Sequence, residues 1–266
     1  MKFMIIENDI ELIKKYDSIG VDRIFIDLEI LGKKERQGHL NTVISNHSLE
    51  DIKNIKPLLN NSELIVRINP INENSKVEID TCISNGADIL MLPMFKTKKE
   101  VEDFISFVGS RVKTCLLLET TQALCRIDDI LEVDGIDEIH IGLNDLHLAM
   151  NLDFMFELLS SGIVDYLANK IKSKNTPFGF GGIATLDSGM ISGEMVLKEH
   201  IRLDSSMVIL SRAFKNAATE DFSIFEKEFI KLKNKLEEFK FDNIDFISNK
   251  LEIKKAVDTI LKNKDI

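Results

Sequence analysis

Short apolar runs alternate with amphipathic, helix-like segments along almost the whole chain, and this alternation constrains the fold most strongly. Eight runs resemble strands, at residues 2–6, 23–29, 63–69, 88–94, 112–119, 138–143, 177–183 and 207–212. Helix-like segments include residues 10–18, 49–59, 76–85, 98–108 and 121–132. Runs that are apolar on both faces suit parallel strands buried between an interior and a layer of helices. The pattern predicts an α/β fold, a (β/α)8 TIM barrel with additional C-terminal helices.

Length and charge narrow the classes of function. The 266 residues fit one barrel domain, and the net charge of −10 argues against nucleic-acid binding, which needs a basic face. An open doubly wound sheet is the alternative fold, but no GxGxxG fingerprint of a nucleotide-binding fold follows the first run, and there is no P-loop. No apolar run reaches the roughly 18 residues of a membrane span, so we expect a cytoplasmic protein that acts on a small molecule and binds no membrane.

The segment after residue 219 departs from the barrel pattern and is predicted as a C-terminal helical extension, 220–266, following a barrel domain at 1–219. Its aromatic and leucine side chains recur every three or four residues and form one apolar stripe: Phe222, Phe225, Phe229, Leu232, Leu236 and Phe239. The stripe packs either on its own barrel or on a partner subunit. The second alternative predicts a homo-oligomer.

Two carboxylates mark the predicted site. Glu119 and Asp145 lie where apolar runs give way to helix-forming residues, and Arg67 lies upstream in the run LIVRINP. Strand ends are where an α/β barrel presents side chains to a ligand. Carboxylate oxygens suit hard cations such as Mg2+ or Mn2+ and leave coordination positions for a substrate. The sequence therefore predicts a divalent-cation site beside an anion site.

A 2-oxo acid is the substrate that this chemistry suits best. A divalent cation stabilises the enolate formed when a carbon–carbon bond breaks, and the guanidinium of Arg67 steadies the enolate oxygen or a carboxylate. The backbone N–H groups of Gly142, Leu143 and Asn144 are predicted to donate to an anion at the start of the following helix. Arg212, at the end of the last run, contacts either a distal anion of the substrate or an acidic partner on the barrel rim.

Several spaced segments resemble the HpcH/HpaI aldolase and citrate lyase family, which has pyruvate/phosphoenolpyruvate-type barrels. The matching segments are VDRIFIDLE (21–29), LIVRINP (64–70), GADILMLPM (86–94), LLLETTQAL (116–124), EIHIGLNDLHLAM (138–150), FGFGGIA (178–184) and VILSRAF (208–214). The resemblance implies that Glu119 and Asp145 are metal ligands and that Arg67 contacts the substrate. It also implies that Asp27 holds water at the metal or orients its neighbours, and that Glu29 is the second acidic residue of that motif.

The chain departs from the family at the residue after Glu29. The hydroxy-oxo-acid aldolase branch has a proton-relaying histidine there, whereas this chain has Ile30. His39 is the preferred candidate to replace it, because the loop GKKERQGH (32–39) is expected to cover the site, and His47 is the other candidate.

These observations predict a metal-dependent (class II) aldolase or lyase acting through a pyruvate-like enolate. Two alternatives stay open. One is a citryl- or malyl-CoA-type thioester lyase, since the segments FIDLE and LLLET resemble the citrate lyase branch of the family somewhat more than the aldolase branch. The other is a non-catalytic barrel used for binding or assembly, which the missing histidine and the amphipathic tail suggest.

Overall fold

Eight parallel strands form a closed barrel in the order β1 to β8 in the computed structural model, which describes residues 1–32, 47–241 and 244–264. The strands are β1 (Lys2–Ile6), β2 (Arg23–Asp27), β3 (Glu63–Arg67), β4 (Ile89–Leu92), β5 (Lys113–Leu118), β6 (Glu138–Ile141), β7 (Phe178–Ile183) and β8 (Met207–Leu210). Every residue of β2, β4 and β6 is buried. Burial on both faces is the reason that these strands are continuous apolar runs. The predicted TIM barrel is confirmed.

Helices follow the strands as predicted, and further helices close the chain. Those in the first half are α1 (Ile10–Ser18), α2 (Leu49–Ile55), α3 (Ser75–Ser84), α4 (Lys98–Val108), α5 (Thr121–Cys125) and α6 (Ile127–Ile130). The second half contains α7 (Leu143–Ala149), α8 (Glu157–Ser160), α9 (Ile163–Lys172), α10 (Gly193–Leu203), α11 (Arg212–Glu220), α12 (Phe222–Phe241) and α13 (Phe246–Lys264).

Several predicted boundaries were wrong. The predicted strands that end in Leu143 and Arg212 stop earlier, and these two residues belong to α7 and α11. The predicted helix at 49–59 is α2 followed by a 3-10 turn, Lys56–Leu58, because Pro57 lacks the N–H that an α-helix needs. The single helix predicted at 121–132 is two short helices that meet at Arg126.

A buried arginine ties the amino-terminal ends of three strands together. Arg23 on β2 is fully buried and donates two hydrogen bonds of 2.6 Å to Glu138 on β6. Its Nε donates to Glu63 on β3 at 3.0 Å. An unpaired buried charge would cost several kcal/mol, so this bidentate pairing is needed for the arginine to be tolerated. The charged cluster belongs to the scaffold and lies at the strand ends opposite to the predicted site.

The chain divides into two compact units, Met4–His140 and Met1–Phe3 with Ile141–Ile266. In the second unit, the α12 stripe is covered by residues of the same chain. Phe229 packs edge-on against Phe3 with ring centroids 5.5 Å apart, and Phe225 packs against Phe214 at 5.7 Å. The domain boundary predicted at residue 220, and a partner subunit for the tail, stay predictions.

Helix α13 is anchored to α10 by polar contacts. The Nδ2 of Asn249 donates to the buried Glu199 at 2.9 Å, and Lys250 forms an ion pair with Asp165 of α9 at 2.8 Å. Arg202 of α10 contacts both Asp165 and Glu199. Within the described ranges, no helix is long and apolar enough to cross a membrane.

Candidate active site

An aspartate and an arginine form the centre of the predicted site at the carboxyl ends of β2 and β3. Asp27 and Arg67 are register partners, each the last residue of its strand. The Nε and Nη2 of Arg67 donate to the two carboxylate oxygens of Asp27, both at 2.8 Å. This bidentate geometry fixes the plane of the guanidinium. The side chain of Arg67 is 13% exposed and that of Asp27 is 2% exposed, so the pair is largely shielded from water.

Glu29 adds a second carboxylate to this arginine. Its Oε2 lies 3.6 Å from Nη1 of Arg67, and its backbone N–H donates to Asp27 at 3.2 Å. Burial by itself lowers the pKa of Arg67, but Asp27, Glu29 and Glu119 outweigh that effect and raise it. Arg67 therefore stays protonated, and the carboxylates around it balance its charge.

Glu119 lies directly after β5 and is 2% exposed. Its Oε1 accepts a hydrogen bond of 3.2 Å from the backbone N–H of Met94. Met94 has a φ of +55°, in the left-handed region that residues other than glycine rarely adopt. Such strain is typical of functional sites, where the surrounding structure fixes an unfavourable backbone. Here the left-handed residue supplies the N–H that orients Glu119.

An asparagine and a glutamate support the turn after β2. The Oδ1 of Asn69 accepts hydrogen bonds from the backbone N–H groups of Ile30 and Leu31 at 2.9 and 3.1 Å. The Nδ2 of Asn69 donates to Glu78 on α3 at 2.8 Å. Burial raises the pKa of Glu78, and the hydrogen bonds from Asn69 offset part of that effect. Asn69 thus fixes the backbone that carries Glu29.

The structure places His47 at the same end of β2. The Nδ1 of its imidazole accepts a hydrogen bond of 2.9 Å from the backbone N–H of Asp27. The preferred histidine of the sequence prediction, His39, lies outside the described residues. The missing family histidine therefore has one described candidate in the predicted loop, His47.

Asp145 belongs to the second unit, in the first turn of α7, and is 9% exposed. Gly142 is the N-cap of this helix, and Leu143 and Asn144 are its first two residues. A Cβ on Gly181 of β7 would lie 2.7 Å from the side chain of Leu143, so a glycine is needed there for close packing. His147 bonds through Nδ1 to the carbonyl of Leu143 in its own helix at 3.2 Å.

Arg212 is exposed and is the first residue of α11, so its expected position at a strand end was wrong. The chain changes from strand to helix one residue earlier, because the Oγ of Ser211 caps the helix by accepting from the N–H of Ala213. The contact of Arg212 with a distal anion stays a prediction.

The structure brings together Asp27, Glu29, Arg67 and Glu119, all of which lie in the unit Met4–His140. Asp145, Gly142, Leu143, Asn144 and Arg212 lie in the other unit. Strands β5 and β6 are neighbours in the barrel, but a joint site of Glu119 and Asp145 stays a prediction. In the described part of the chain, no group of three or more potential ligands is placed to hold a metal ion by itself.

Four residues of the site neighbourhood carry no clear sequence signal or only a weak one: His47, Asn69, Glu78 and Met94.

A cavity of about 450 Å3 in the same unit is a separate feature. It lies at the amino-terminal ends of β3 to β5, where Glu63, Asp88 and Lys113 line it. Its position is opposite to the strand ends that carry Asp27 and Arg67.

Residues 3–155 match the sequence model of the HpcH/HpaI aldolase/citrate lyase family. The chain belongs to this family. A hydroxypyruvate/pyruvate aldolase of Roseobacter denitrificans is 24% identical over 184 residues, which cover 56% of this chain and 70% of that protein. The family assignment confirms the resemblance found in the sequence and supports an aldolase or lyase.

Solved structures agree with the fold of this HpcH/HpaI family member. A family protein from Burkholderia cenocepacia J2315 superposes with a TM-score of 0.64 at 12% identity, covering 82% of this chain and 91% of that one. An HpcH/HpaI aldolase from Desulfitobacterium hafniense DCB-2 gives 0.63 at 13% identity, covering 84% and 91%. The citrate synthase SbnG gives 0.62 at 15% identity, covering 86% and 94%. At these identities the likeness establishes the shared fold.

Proposed function

We propose that this protein is a divalent-metal-dependent carbon–carbon lyase of the aldolase type, which acts on a 2-oxo acid through a pyruvate-like enolate. The observation that carries the proposal is the Arg67 guanidinium, held in a fixed plane by Asp27 among buried carboxylates. The aldolase of Roseobacter denitrificans, which is named for hydroxypyruvate and pyruvate, supports the substrate class.

The carboxylates fit a hard cation. Three buried carboxylates, Asp27, Glu29 and Glu119, raise the pKa of one guanidinium, so negative charge exceeds positive charge within this set. Oxygen donors of this kind suit Mg2+ or Mn2+, and Glu119 with Asp145 would hold the ion. The bound ion would supply Lewis-acid stabilisation of the enolate.

The chain's own residues would bind and orient the substrate. Arg67 has fixed N–H donors and would contact the enolate oxygen or the carboxylate of the 2-oxo acid. Asp27 would keep that guanidinium from rotating, and Glu29 would hold its third nitrogen. The N–H of Met94 would hold Glu119 in one orientation. Little of the geometry then needs to reorganise when charge develops on the substrate.

Deuterium exchange into the methyl group of pyruvate, followed by NMR, tests this function before the second substrate is known. We expect exchange by the wild type with Mg2+ and no exchange with EDTA. Glu119→Gln retains an oxygen for the Met94 N–H but loses the charge, so it should exchange at least about 10²-fold more slowly. Asp145→Asn should behave in the same way.

Glu102→Gln is the matched control, because Glu102 is an exposed glutamate on α4. Full exchange by Glu119→Gln would contradict the proposed site. A wild type that binds Mg2+ but exchanges no deuterium would disfavour the 2-oxo acid and direct the search to CoA thioesters. A wild type that neither binds the ion nor turns over either substrate class would favour the non-catalytic alternative.

A further inference from the structure

The backbone N–H of Asp27 has an unusual acceptor. The pairing of β1 with β2 ends at Ile6 and Phe25, and the last bond between these chains runs from the Glu7 N–H to the Phe25 carbonyl. Alternate residues of a strand point their backbone groups to the same neighbour, so the Asp27 N–H faces β1 beyond its end. A side chain, His47, accepts this hydrogen bond at 2.9 Å.

This hydrogen bond defines the protonation of His47. Nδ1 can accept from an N–H only when it carries no proton, so the neutral ring carries its proton on Nε2. Protonation of Nδ1 would place two donors against each other and break the bond. In this arrangement the imidazole serves as an acceptor, which is a different task from relaying a proton through both nitrogens.

The residues on each side of this bond make further hydrogen bonds. The N–H of Ser48, the next residue, donates to Asp51 of α2 at 2.7 Å. On the other side, both carboxylate oxygens of Asp27 accept from Arg67. His47 thus connects the start of α2 to the residue that orients the guanidinium.

We propose that His47 is a positioning residue: as a neutral imidazole it holds the backbone of Asp27, and through Asp27 it fixes Arg67 for the substrate. The inference rests on the proposed function for its effect on turnover, but the hydrogen bond itself can be measured without turnover. The described charged groups around this end of the barrel include Glu7 after β1, Asp27 and Glu29 at the end of β2, Arg67 on β3, Glu119 after β5 and Asp51 on α2.

Two substitutions separate positioning from proton transfer. His47→Asn places an amide oxygen near the position of Nδ1, so it keeps the acceptor and cannot titrate between pH 5 and 8. His47→Leu has a similar volume and no acceptor. We expect His47→Asn to keep at least about half of the wild-type pyruvate exchange rate at pH 8. We expect His47→Leu to lose about tenfold in kcat, because a misplaced orienting group weakens catalysis sharply.

The pH profile provides a second readout. The bond needs unprotonated Nδ1, so wild-type turnover should be complete above the ordinary imidazole range near pH ~6.5 and fall below it. His47→Asn should lack this acid limb or show it at lower pH. Equal loss of activity in both variants would show that the ring itself transfers protons and would overturn the proposal. Wild-type activity in His47→Leu would overturn it as well.

Amide hydrogen exchange at Asp27 tests the bond independently of the proposed function. At pH 8 we expect protection in the wild type and in His47→Asn, and exchange about fivefold faster in His47→Leu, the factor that a net hydrogen bond of about 1 kcal/mol gives. Equal protection in all three proteins would overturn the inference even if the enzyme is an aldolase. Loss of protection in His47→Leu alone would support it even if pyruvate is not the substrate.

Discussion

Asp27 and Arg67 face each other across two neighbouring strands, and the sheet register itself brings them together. Two hydrogen bonds of 2.8 Å between these strand ends hold the guanidinium in one orientation. A substrate that replaces water around Arg67 would therefore meet donors whose direction is already fixed. We therefore expect the planar geometry of the Arg67 guanidinium to contribute more to catalysis than its positive charge alone.

Arg67→Lys tests the fork against the charge. Lysine keeps the positive charge but cannot donate two parallel hydrogen bonds to Asp27. We expect kcat for pyruvate exchange to fall by about 10²- to 10³-fold, the range measured when one fixed donor of a transition state is lost, with a smaller change in KM. Steady-state kinetics of the wild type and Arg67→Lys at saturating Mg2+ would measure this change. A wild-type kcat in Arg67→Lys would show that the two-donor geometry of the guanidinium is not required.

Local sequence patterns indicated Glu119 and Arg67 near the carboxyl ends of apolar runs, and the family resemblance added Asp27. The residues that support them could not be found in this way. The N–H that orients Glu119 lies 25 positions away at Met94, and an acceptor for the Asp27 N–H lies 20 positions away at His47. Hydrogen bonds between residues so far apart in sequence depend on which segments become neighbours in the fold. The pattern of a single segment does not contain that information.

At the scale of strands and helices, the predicted strands ran too far at their carboxyl ends. Residues 28–29, 68–69 and 119 continue or follow apolar runs but lie beyond the ends of the strands, although the N–H groups of Leu28 and Ile68 still donate to the neighbouring strands. The side chain of Glu29 contacts Arg67, and that of Asn69 accepts from the turn after β2. Apolar periodicity reports burial and cannot distinguish a buried strand from a buried turn beyond it.

The hydrogen bonds between the end of α1 and the segment before β3 predict how stability depends on pH. The carboxylate of Asp17, in the last turn of α1, accepts from the backbone N–H groups of Asn60, Asn61 and Ser62 at 2.8 to 3.2 Å. Burial raises the pKa of Asp17, but these hydrogen bonds outweigh it and hold the pKa below its ordinary value. The stabilisation is therefore present above about pH 4, the unfolded value, and is lost as the pH falls below it.

Asp17→Asn should lower the free energy of unfolding by about 1–3 kcal/mol at pH 7, since three backbone N–H groups lose a charged acceptor. The difference from the wild type should shrink below about pH 4, where the wild-type carboxyl also becomes neutral. Urea unfolding between pH 7 and 3 measures both effects. Asp258→Asn, at an exposed position on α13, is the control. A deficit that stays constant down to pH 3 would refute the assignment to ionisation.

For the whole chain, strand order was predictable because each strand and each helix carries its own apolar pattern. The division into Met4–His140 and a second unit was not, because it depends on contacts between segments that are distant in sequence. The α12 stripe illustrates the same limit. Its spacing predicts a buried face, and only the packing of Phe229 on Phe3 and of Phe225 on Phe214 shows what covers it.

Metal binding should stabilise the whole molecule, and this is measurable without any substrate. A ligand at 100 times its Kd adds about 2.7 kcal/mol to the free energy of unfolding, which corresponds to a rise in the thermal midpoint of roughly 5–10 °C for a chain of this size. We expect that rise with Mn2+ in the wild type, its reversal by EDTA and its absence in Glu119→Gln.

The acidic surface makes a control essential, because a chain with a net charge of −10 attracts divalent cations without any specific site. Glu102→Gln lowers the net negative charge by the same amount as Glu119→Gln but changes an exposed side chain. If Mn2+ raises the midpoint of Glu102→Gln as much as that of the wild type, and leaves Glu119→Gln unchanged, the ion binds at Glu119. Equal rises in all three proteins, abolished by added salt, would indicate general screening and remove the metal from the proposed mechanism.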